Sequence, residues 1–288
     1  MAGGKENKMK TLYFECSMGA AGDMIMSALY DLLYDKKGFL EKMNSLGIPG
    51  VHFEAKASKS YGISGIRMKV TVNGQAEEEL QEHGSHDHDH SGSPERNMKY
   101  HHVTLGSINA IIDEMPLPGK VKADAKSVYR TIAEAEAKIH GNTSGSVHFH
   151  EVGTMDAVAD VTGVCYALYL LKADKIVVSP IHVGSGTVEC AHGVLPVPAP
   201  ATARILKGVP TYGGEISGEL CTPTGAALLK HFADSFGPMP NITTRNVGYG
   251  LGTRDFGRLS CVRVFEGESF SEALETITCE MEAVHRTA

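Results

Sequence analysis

A chain of 288 residues is long enough to form one large α/β domain or two smaller ones, and either can bury a substantial core. Its net charge of −7, without a visible basic stripe, argues against nucleic acid as the main partner. The six cysteines include no CxxC pair, which is typical of reduced thiols in the cytosol, and no apolar run is long enough to cross a membrane. We therefore expect a cytoplasmic protein with no membrane partner and a disordered lead over residues 1–8.

The first predicted elements are a short strand over residues 12–15 and a helix over 24–33, joined by a glycine-containing loop. A strand, a glycine loop and a helix N-terminus can bind anions through backbone N–H groups. The loop lacks the Lys-Ser/Thr pair of a Walker A motif and the GxGxxG spacing. A tight strand-to-helix turn explains the pattern equally well. The candidate residues are Ser17, Gly19 and Gly22 for binding a phosphate and Asp23 for orienting a metal-bound group.

A second short helix over 36–46 and strands over 51–57 and 66–72 come next, and residues 77–102 then break the pattern. This stretch has no apolar period and is rich in histidine and acidic residues, so we expect a flexible insertion. A loop of this composition can capture nickel, zinc or copper from a dilute pool. We favour metal acquisition over a solvated linker. The histidines concerned are His83, His86, His88, His90, His101 and His102.

The stretch richest in candidate ligands follows two helices predicted over 103–115 and 121–140, the second ending at Gly141. Alternation over 147–150 predicts a strand with two histidines on one face. A helical apolar period follows, with two aspartates one turn apart. Burying so many ligand-type side chains without a cation costs free energy. We therefore favour a metal site over the alternative, in which the two histidines are half-buried strand residues and Asp156 is an acid at a helix N-terminus. The candidate ligands are His148, His150, Glu151, Asp156, Asp160 and, because ligands group at the carboxyl ends of strands, Asp23.

A β-branched strand predicted over 176–183 leads into a glycine-rich stretch that contains His182 and His192. We include His182 among the candidate metal ligands and His192 among the candidate bases, because neutral imidazole binds nickel and accepts protons near pH 7. After three prolines, further helices are predicted over 201–207 and 226–236.

The segment before the last of these helices forms a second candidate anion site. Thr222 is predicted to cap the helix, with Pro223 at its first position, and the free N–H groups of the first turn point outward. A cap alone also accounts for the pattern. The candidate residues are Thr222, Thr224 and Gly225.

Residues 247–255 are predicted to form a glycine-rich loop, in which Arg254 is the candidate partner of a substrate phosphate or carboxylate. A last strand over 261–265 closes the core, and 266–288 is expected to be an acidic tail. Together the elements predict an α/β fold, bordering on α+β, with helices packed on a mixed sheet in a domain that spans 9–265. Strand order is left open.

Five blocks of this sequence, in this order, resemble the nickel-insertion proteins of the LarC family. The resemblance covers about residues 9–265, and none of the blocks belongs to a generic cofactor motif. The blocks are TLYFECSMGAAGDM, HFHEVGTMDAVADVTG, IHVGSGTVECAHGVLPVPAPAT, GELCTPTGAALL and VGYGLGTRD.

The resemblance implies a cytoplasmic nickel insertion lyase or chelatase. Such a protein inserts Ni²⁺ into pyridinium-3,5-bisthiocarboxylic acid mononucleotide, forming one Ni–carbon and two Ni–sulfur bonds, and so completes the nickel-pincer cofactor of lactate racemase. Hydrolysis of CTP, bound with Mg²⁺ or Mn²⁺, drives the step. Forming the Ni–carbon bond removes a ring proton, for which His148, His150 and His192 are the candidate bases. Lactate racemase or another apoenzyme that uses the cofactor is then a partner.

The chain departs from the family pattern after about residue 276. Family members continue into a second domain that carries CTP binding and oligomer formation, and that domain is missing before Ala288. In some family members the two parts are encoded in different reading frames and are joined only when the ribosome shifts frame. The sequence thus resembles the first part alone, translated without that frameshift, or a truncated chain. We expect it to bind nickel, and to need the second part of the same protein as a partner for turnover.

Two alternatives come from other functional classes. One is a free-standing zinc metallohydrolase that uses His148, His150, Glu151 and Asp156, with an open position for water. The other is a nickel store or chaperone that works only through residues 83–102, in which case removal of this tract abolishes all metal binding.

Overall fold

The computed structural model describes residues 8–76, 103–141, 148–149, 154–190 and 193–270. The helices within these ranges are α1 (Gly22–Leu32), α2 (Lys36–Asn44), α3 (Leu105–Glu114), α4 (Gly119–His140), α5 (Met155–Leu171), α6 (Pro200–Ile205) and α7 (Pro223–Phe232). The strands are β1 (Lys8–Glu15), β2 (Val51–Ser60), β3 (Ile63–Val72), β4 (Gln75–Ala76), β5 (Val103–Thr104), β6 (His148–Phe149), β7 (Lys175–Val178), β8 (Ile181–His182), β9 (Gly184–Ser185), β10 (Thr187–Cys190), β11 (Gly193–Pro196), β12 (Thr211–Tyr212), β13 (Gly218–Glu219), β14 (Ser235–Phe236), β15 (Ile242–Leu251) and β16 (Cys261–Phe270).

The main sheet is mixed, which confirms the predicted α/β class. Its strand order is β14-β7-β1-β16-β15-β3-β2, with β4 paired to β3. The neighbours β14, β7 and β1 are parallel, as are β15 and β3, and the other pairs are antiparallel. Four pairs of two-residue or four-residue strands lie outside this sheet in the described residues.

Three helices, α1, α5 and α7, pack against one another on the main sheet. Ile25 of α1, Val164 of α5 and Leu228 of α7 meet at one level above Phe14 and Val178 of the sheet, and all five side chains are buried. Helix α1 follows β1 directly, and Cys221, just before α7, pairs with Ala20. The N-termini of α1 and α7 therefore lie at the carboxyl end of β1, the edge at which ligands of open α/β sheets bind. In the described part of the chain, no helix is both long and apolar enough to span a bilayer.

The glycine-rich stretch over 247–255 is mostly strand, and the predicted loop is wrong for its first five residues. Strand β15 continues to Leu251, and Gly248 and Gly250 lie directly under α1. A β carbon at Gly250 would overlap the carbonyl oxygen of Met24. These glycines therefore do not form a flexible loop. Because they have no side chain, they let α1 pack closely on the strand.

Several element boundaries also differ from prediction. The helix predicted over 226–236 ends at Phe232, because Ser235–Phe236 pairs with β7 as an edge strand. The last strand continues past residue 265 to Phe270 and pairs with all of β1. Ser179 and Pro180 divide the predicted 176–183 strand into β7 and β8.

Other local predictions are confirmed. Helix α4 ends at His140, and Gly141 takes the left-handed conformation typical of a helix C-terminus. Thr222 caps α7 by accepting a hydrogen bond from the Gly225 N–H at 3.1 Å, and Pro223 follows it. Helix α5 begins at Met155, one residue before the predicted change to helical periodicity.

Candidate functional site

The candidate site is organised around the loop of residues 16–22, which joins β1 to α1. The loop turns at Gly19, whose N–H donates to the Cys16 carbonyl oxygen at 3.0 Å. The Ala20 N–H donates to the Leu220 carbonyl oxygen at 3.0 Å, and the Ala20 carbonyl oxygen accepts from the Thr222 N–H at 3.0 Å. The two predicted anion segments, far apart in the sequence, are therefore hydrogen-bonded neighbours.

The N-termini of α1 and α7 consequently lie side by side. Gly225 packs against the Ala20 carbonyl group so closely that a β carbon would overlap its oxygen. Thr224 is nearly buried, whereas Ser17 is exposed and its N–H donates to Glu15 Oε1 at 3.0 Å. Two helix N-termini therefore lie together at one sheet edge, an arrangement that can bind an anion.

Acidic residues of α5 lie against the same helix end. A β carbon at Gly22 would be 2.6 Å from Asp160 Oδ2, so this carboxylate packs on the first turn of α1, which also carries Asp23. Negative charge at this position is stabilised by the helix dipole. Asp156 and Asp160 follow each other by one turn on α5 and are both partly exposed. Asp23 and Asp160, predicted to share a site, thus both lie at the first turn of α1.

Tyr129 of α4 is a residue of this region that the sequence analysis missed. Burial is the main cause that raises the pKa of the Tyr129 phenol well above its usual value, and the carboxylates of Asp160 and Asp156 raise it further. Its ring packs edge-on against Phe149, with centroids 6.1 Å apart. Helical periodicity assigns a tyrosine at this position to the core, and no local signal distinguishes it from other core aromatics.

The strand-to-helix junction itself is described in part. The backbone of His148 and Phe149 pairs with β5, and Phe149 is buried. The His148 side chain lies outside the described residues, as do His150 and Glu151. The same holds for the predicted base His192 and for the metal-acquiring histidines, which are His83, His86, His88, His90, His101 and His102. Their assignments stay predictions.

His182 lies on the other side of the 16–22 loop. Its N–H donates to the Cys16 carbonyl oxygen at 3.2 Å, and its ring Nδ1 is 2.8 Å from the Ser17 carbonyl oxygen. The ring stacks on Tyr212, with centroids 4.6 Å apart and planes at 12°. Only 6% of His182 is exposed. The loop is thus contacted by one predicted metal ligand at Ser17 and by another, Asp160, at Gly22.

Three thiols near the sheet edge are held in their neutral form. Burial is the main cause that raises the pKa of Cys16 and of Cys221. The neighbouring Cys221 raises the pKa of Cys16 further, and the Glu219 carboxylate does the same for Cys221. Burial and the nearby Glu15 carboxylate raise the pKa of Cys261 to about 11. Glu15 is paired with Arg263 at 2.9 Å. Because a thiolate is the form that binds metals, these cysteines are poor ligands in this structure.

Arg254 lies in the connection between β15 and β16. Its side chain is exposed. The next residue anchors the connection, since Asp255 Oδ1 accepts hydrogen bonds from Tyr61 Oη at 2.7 Å and from the Gly257 N–H at 2.8 Å. Arg254 therefore projects from a fixed loop that begins beside the first turn of α1, where Gly252 faces Met24.

Comparison with known proteins identifies the family. A family model described as "Nickel insertion protein" matches residues 12–284. The chain belongs to this family. It is 40% identical over 279 residues to the pyridinium-3,5-bisthiocarboxylic acid mononucleotide nickel insertion protein of Acetivibrio thermocellus, and 41% identical over 262 residues to the protein of the same name from Clostridium kluyveri.

These alignments cover 95% and 90% of this nickel insertion family chain, but 64% and 62% of the relatives. The chain therefore spans less than two-thirds of the length of either relative. A third relative, the protein of the same name from Staphylococcus epidermidis, is 37% identical over 278 residues, with coverage of 95% of this chain and 64% of the relative. No solved structure matches the chain.

The described residues of this nickel insertion protein contain no group of three or more histidine, cysteine, aspartate or glutamate side chains arranged to hold a metal ion. His182 and Asp160 contact opposite ends of the 16–22 loop and do not form such a group. Within the described ranges, the loop thus has individual candidate ligands around it rather than a closed metal cage.

Replacing Tyr129 by phenylalanine should stabilise the fold. The Tyr129 hydroxyl is buried and has no hydrogen-bond partner among the described residues, and an unsatisfied buried polar group costs about 1–3 kcal/mol. We expect the Tyr129→Phe midpoint of urea unfolding to rise. Tyr166→Phe, at a partly exposed tyrosine, is the control and should change little. A fall in stability on Tyr129→Phe would mean that the hydroxyl has a stabilising partner.

Proposed function

We propose that this chain is the nickel-binding part of a cytoplasmic nickel-insertion enzyme. The enzyme delivers Ni²⁺ into pyridinium-3,5-bisthiocarboxylic acid mononucleotide and so forms the nickel-pincer cofactor of lactate racemase. The observation that carries the proposal is the contact of one loop, 16–22, with a buried histidine, a carboxylate and two helix N-termini, in a member of the nickel insertion family.

The nucleotide's phosphate is the group we assign to the two helix N-termini. A helix N-terminus favours an anion, and Arg254 at the same sheet edge can supply a bidentate donor. The Thr222 side chain already accepts a hydrogen bond from the Gly225 N–H, whereas the N-cap residue of α1, Ala21, makes no side-chain cap. The 16–22 loop is therefore the stronger of the two candidates. The residues assigned to the phosphate are Ser17, Gly19, Gly22, Thr222, Thr224, Gly225 and Arg254.

In this proposal Ni²⁺ is a substrate of the reaction, not a resident cofactor of the protein. Imidazole suits Ni²⁺, and carboxylates complete its coordination. In this proposal the histidine tract over 83–102 collects the ion, and the junction with Asp23 and His182 receives it. The receiving residues are His148, His150, Glu151, Asp156, Asp160, Asp23 and His182.

Insertion replaces a ring C–H bond by an Ni–carbon bond, so one proton must leave for each nickel ion inserted. A neutral imidazole near the metal is the fitting acceptor at pH 7. His148, His150 and His192 stay the proposed bases. Neutral, buried Cys16 and Cys221 do not suit this role, because a group that is already protonated cannot accept the proton.

Turnover, in this proposal, also uses the segment of the relatives that the present chain does not span. That segment binds CTP with Mg²⁺ or Mn²⁺, whose hydrolysis drives insertion. The partners are then this second part of the protein and, for delivery, lactate racemase or another apoenzyme that needs the cofactor. Mixing the chain with the second part should raise the insertion rate, and an unchanged rate would contradict the division of labour.

The deciding experiment is nickel binding by titration calorimetry. We compare the chain with a variant in which residues 80–102 are replaced by a short Gly/Ser linker. A tight site should persist in the variant and disappear when His148→Ala or His150→Ala is added. His52→Ala, at an exposed histidine of β2, is the matched control and should leave the tight site intact. Loss of all binding with the tract would overturn the assignment at the junction.

A further inference from the structure

His182 is held in a single tautomer by its surroundings. Its Nδ1 is 2.8 Å from the Ser17 carbonyl oxygen, and a carbonyl oxygen can only accept a hydrogen bond. Nδ1 therefore carries the ring proton. Nε2 keeps its lone pair, and it is the atom left to bind something else.

The Nε2 atom is buried and has no hydrogen-bond partner among the described residues. Leaving such an acceptor unsatisfied is unfavourable, and no compensation is visible at this atom. The ring cannot easily turn away, because it is stacked on Tyr212 and fixed at Nδ1. An imidazole that donates through one nitrogen to a backbone carbonyl and directs the other at a ligand has the arrangement of a metal-binding histidine.

A single protein ligand is what the proposed product requires. The nucleotide itself supplies one carbon and two sulfur atoms to nickel, and a square-planar Ni²⁺ has four positions. One position is left for the protein. The described residues offer one oriented imidazole at the 16–22 loop that can fill this position.

The exposed backbone of Gly214 lies over Nε2. Gly214 lies so close that a β carbon would overlap Nε2, whereas a β carbon at Gly213 would be 3.4 Å from the Gly184 carbonyl oxygen. Both residues lie in an irregular segment after β12. The two contacts that hold the ring, with the Ser17 carbonyl oxygen and the Tyr212 ring, involve neither glycine.

We propose that His182 Nε2 is the fourth ligand of nickel in the nucleotide complex and that the Gly213–Gly214 segment moves aside to admit the complex. This inference rests on the function proposed above and adds the atom that holds the product. His182 binds the nickel directly. Ser17 and Tyr212 are positioning residues that fix its ring.

The test is ¹⁵N NMR of the chain labelled at histidine, with separately prepared nickel-pincer nucleotide as the probe. The His182 Nε2 resonance is assigned by its loss in His182→Gln. Low-spin square-planar nickel is diamagnetic, so binding should move this resonance upfield instead of broadening it. Affinity for the nickel-loaded nucleotide, measured by calorimetry, should fall about tenfold or more in His182→Gln. His231→Gln is the matched control, since that ring contacts Asp124 away from the loop.

A second pair of variants tests whether the Gly213–Gly214 segment controls access to Nε2. Gly214→Ala should tighten binding of the nickel-loaded nucleotide, because its methyl group would overlap the fixed His182 ring and so hold the segment away from Nε2. Gly213→Ala, one residue earlier, should bind within about twofold of the parent chain, since its methyl group makes a contact near the ordinary van der Waals range. If Gly213→Ala and Gly214→Ala bind the nickel-loaded nucleotide with equal affinity, the proposed role of the Gly213–Gly214 segment is overturned.

The outcomes separate this inference from the proposed function. If the nucleotide binds and the Nε2 resonance does not move, His182 is not the ligand, although the chain still binds the cofactor. If neither nickel nor the nucleotide binds to the parent chain, both the inference and the proposed function fail. If the resonance moves and His182→Gln alone loses affinity while His231→Gln does not, the inference is supported.

Discussion

Replacing Gly19 by alanine should destabilise the protein strongly and abolish nucleotide binding at the 16–22 loop. Gly19 has φ +77°, a conformation that costs an L-residue about 1–2 kcal/mol. Its new β carbon would also overlap the Leu220 carbonyl oxygen, which accepts the hydrogen bond from Ala20, and overpacking of this kind costs about 1–3 kcal/mol more. Urea unfolding gives the stability loss, and calorimetry with the mononucleotide gives the binding loss.

Gly62→Ala is the matched control for that experiment. Gly62 has φ +81°, yet a β carbon there would meet no atom within 4 Å. Alanine at position 62 therefore has the backbone strain without the steric overlap. The Gly62→Ala variant should lose only the stability that the positive φ costs, and its affinity for the nucleotide should be unchanged. If Gly19→Ala and Gly62→Ala behave alike, the contact between the 16–22 loop and Leu220 does not hold the site together.

Gly250→Ala should also lower stability, by about 1–3 kcal/mol, through a different contact. Its β carbon would overlap the Met24 carbonyl oxygen, so α1 must move away from β15. Because Met24 lies in the first turn of α1, the displacement reaches the 16–22 loop, and we expect weaker nickel and nucleotide binding as well. The measurements are the midpoint and slope of urea unfolding, followed by calorimetry.

Gly237→Ala serves as its control, because a β carbon at that position would meet no atom within 4 Å and its φ is not positive. This variant should match the parent chain within about 0.5 kcal/mol, as do most surface substitutions. A stable Gly250→Ala protein with normal binding would mean that α1 tolerates a displacement from the sheet, and that the alignment of its N-terminus does not depend on close packing.

The sequence by itself determined the features that depend on near neighbours in the chain. Helix α5 follows from apolar periodicity, the cap at Thr222 from a threonine followed by proline, and the end of α4 from Gly141. Their causes are hydrogen bonds and side-chain contacts within one or two turns, which a local pattern records. The α/β class could be predicted for the same reason, and the two candidate anion segments were recognised from their local pattern alone.

Only the tertiary structure decided which of these segments meet and what each glycine is for. Gly250 belongs to a strand because α1 packs on it, and Ser235–Phe236 is a strand because β7 offers an open edge. The tautomer of His182 is set by a carbonyl group 165 positions away in the chain, and Tyr129 reaches the aspartates from another helix. Such contacts depend on packing between distant segments, whose free energy no local pattern of residues encodes.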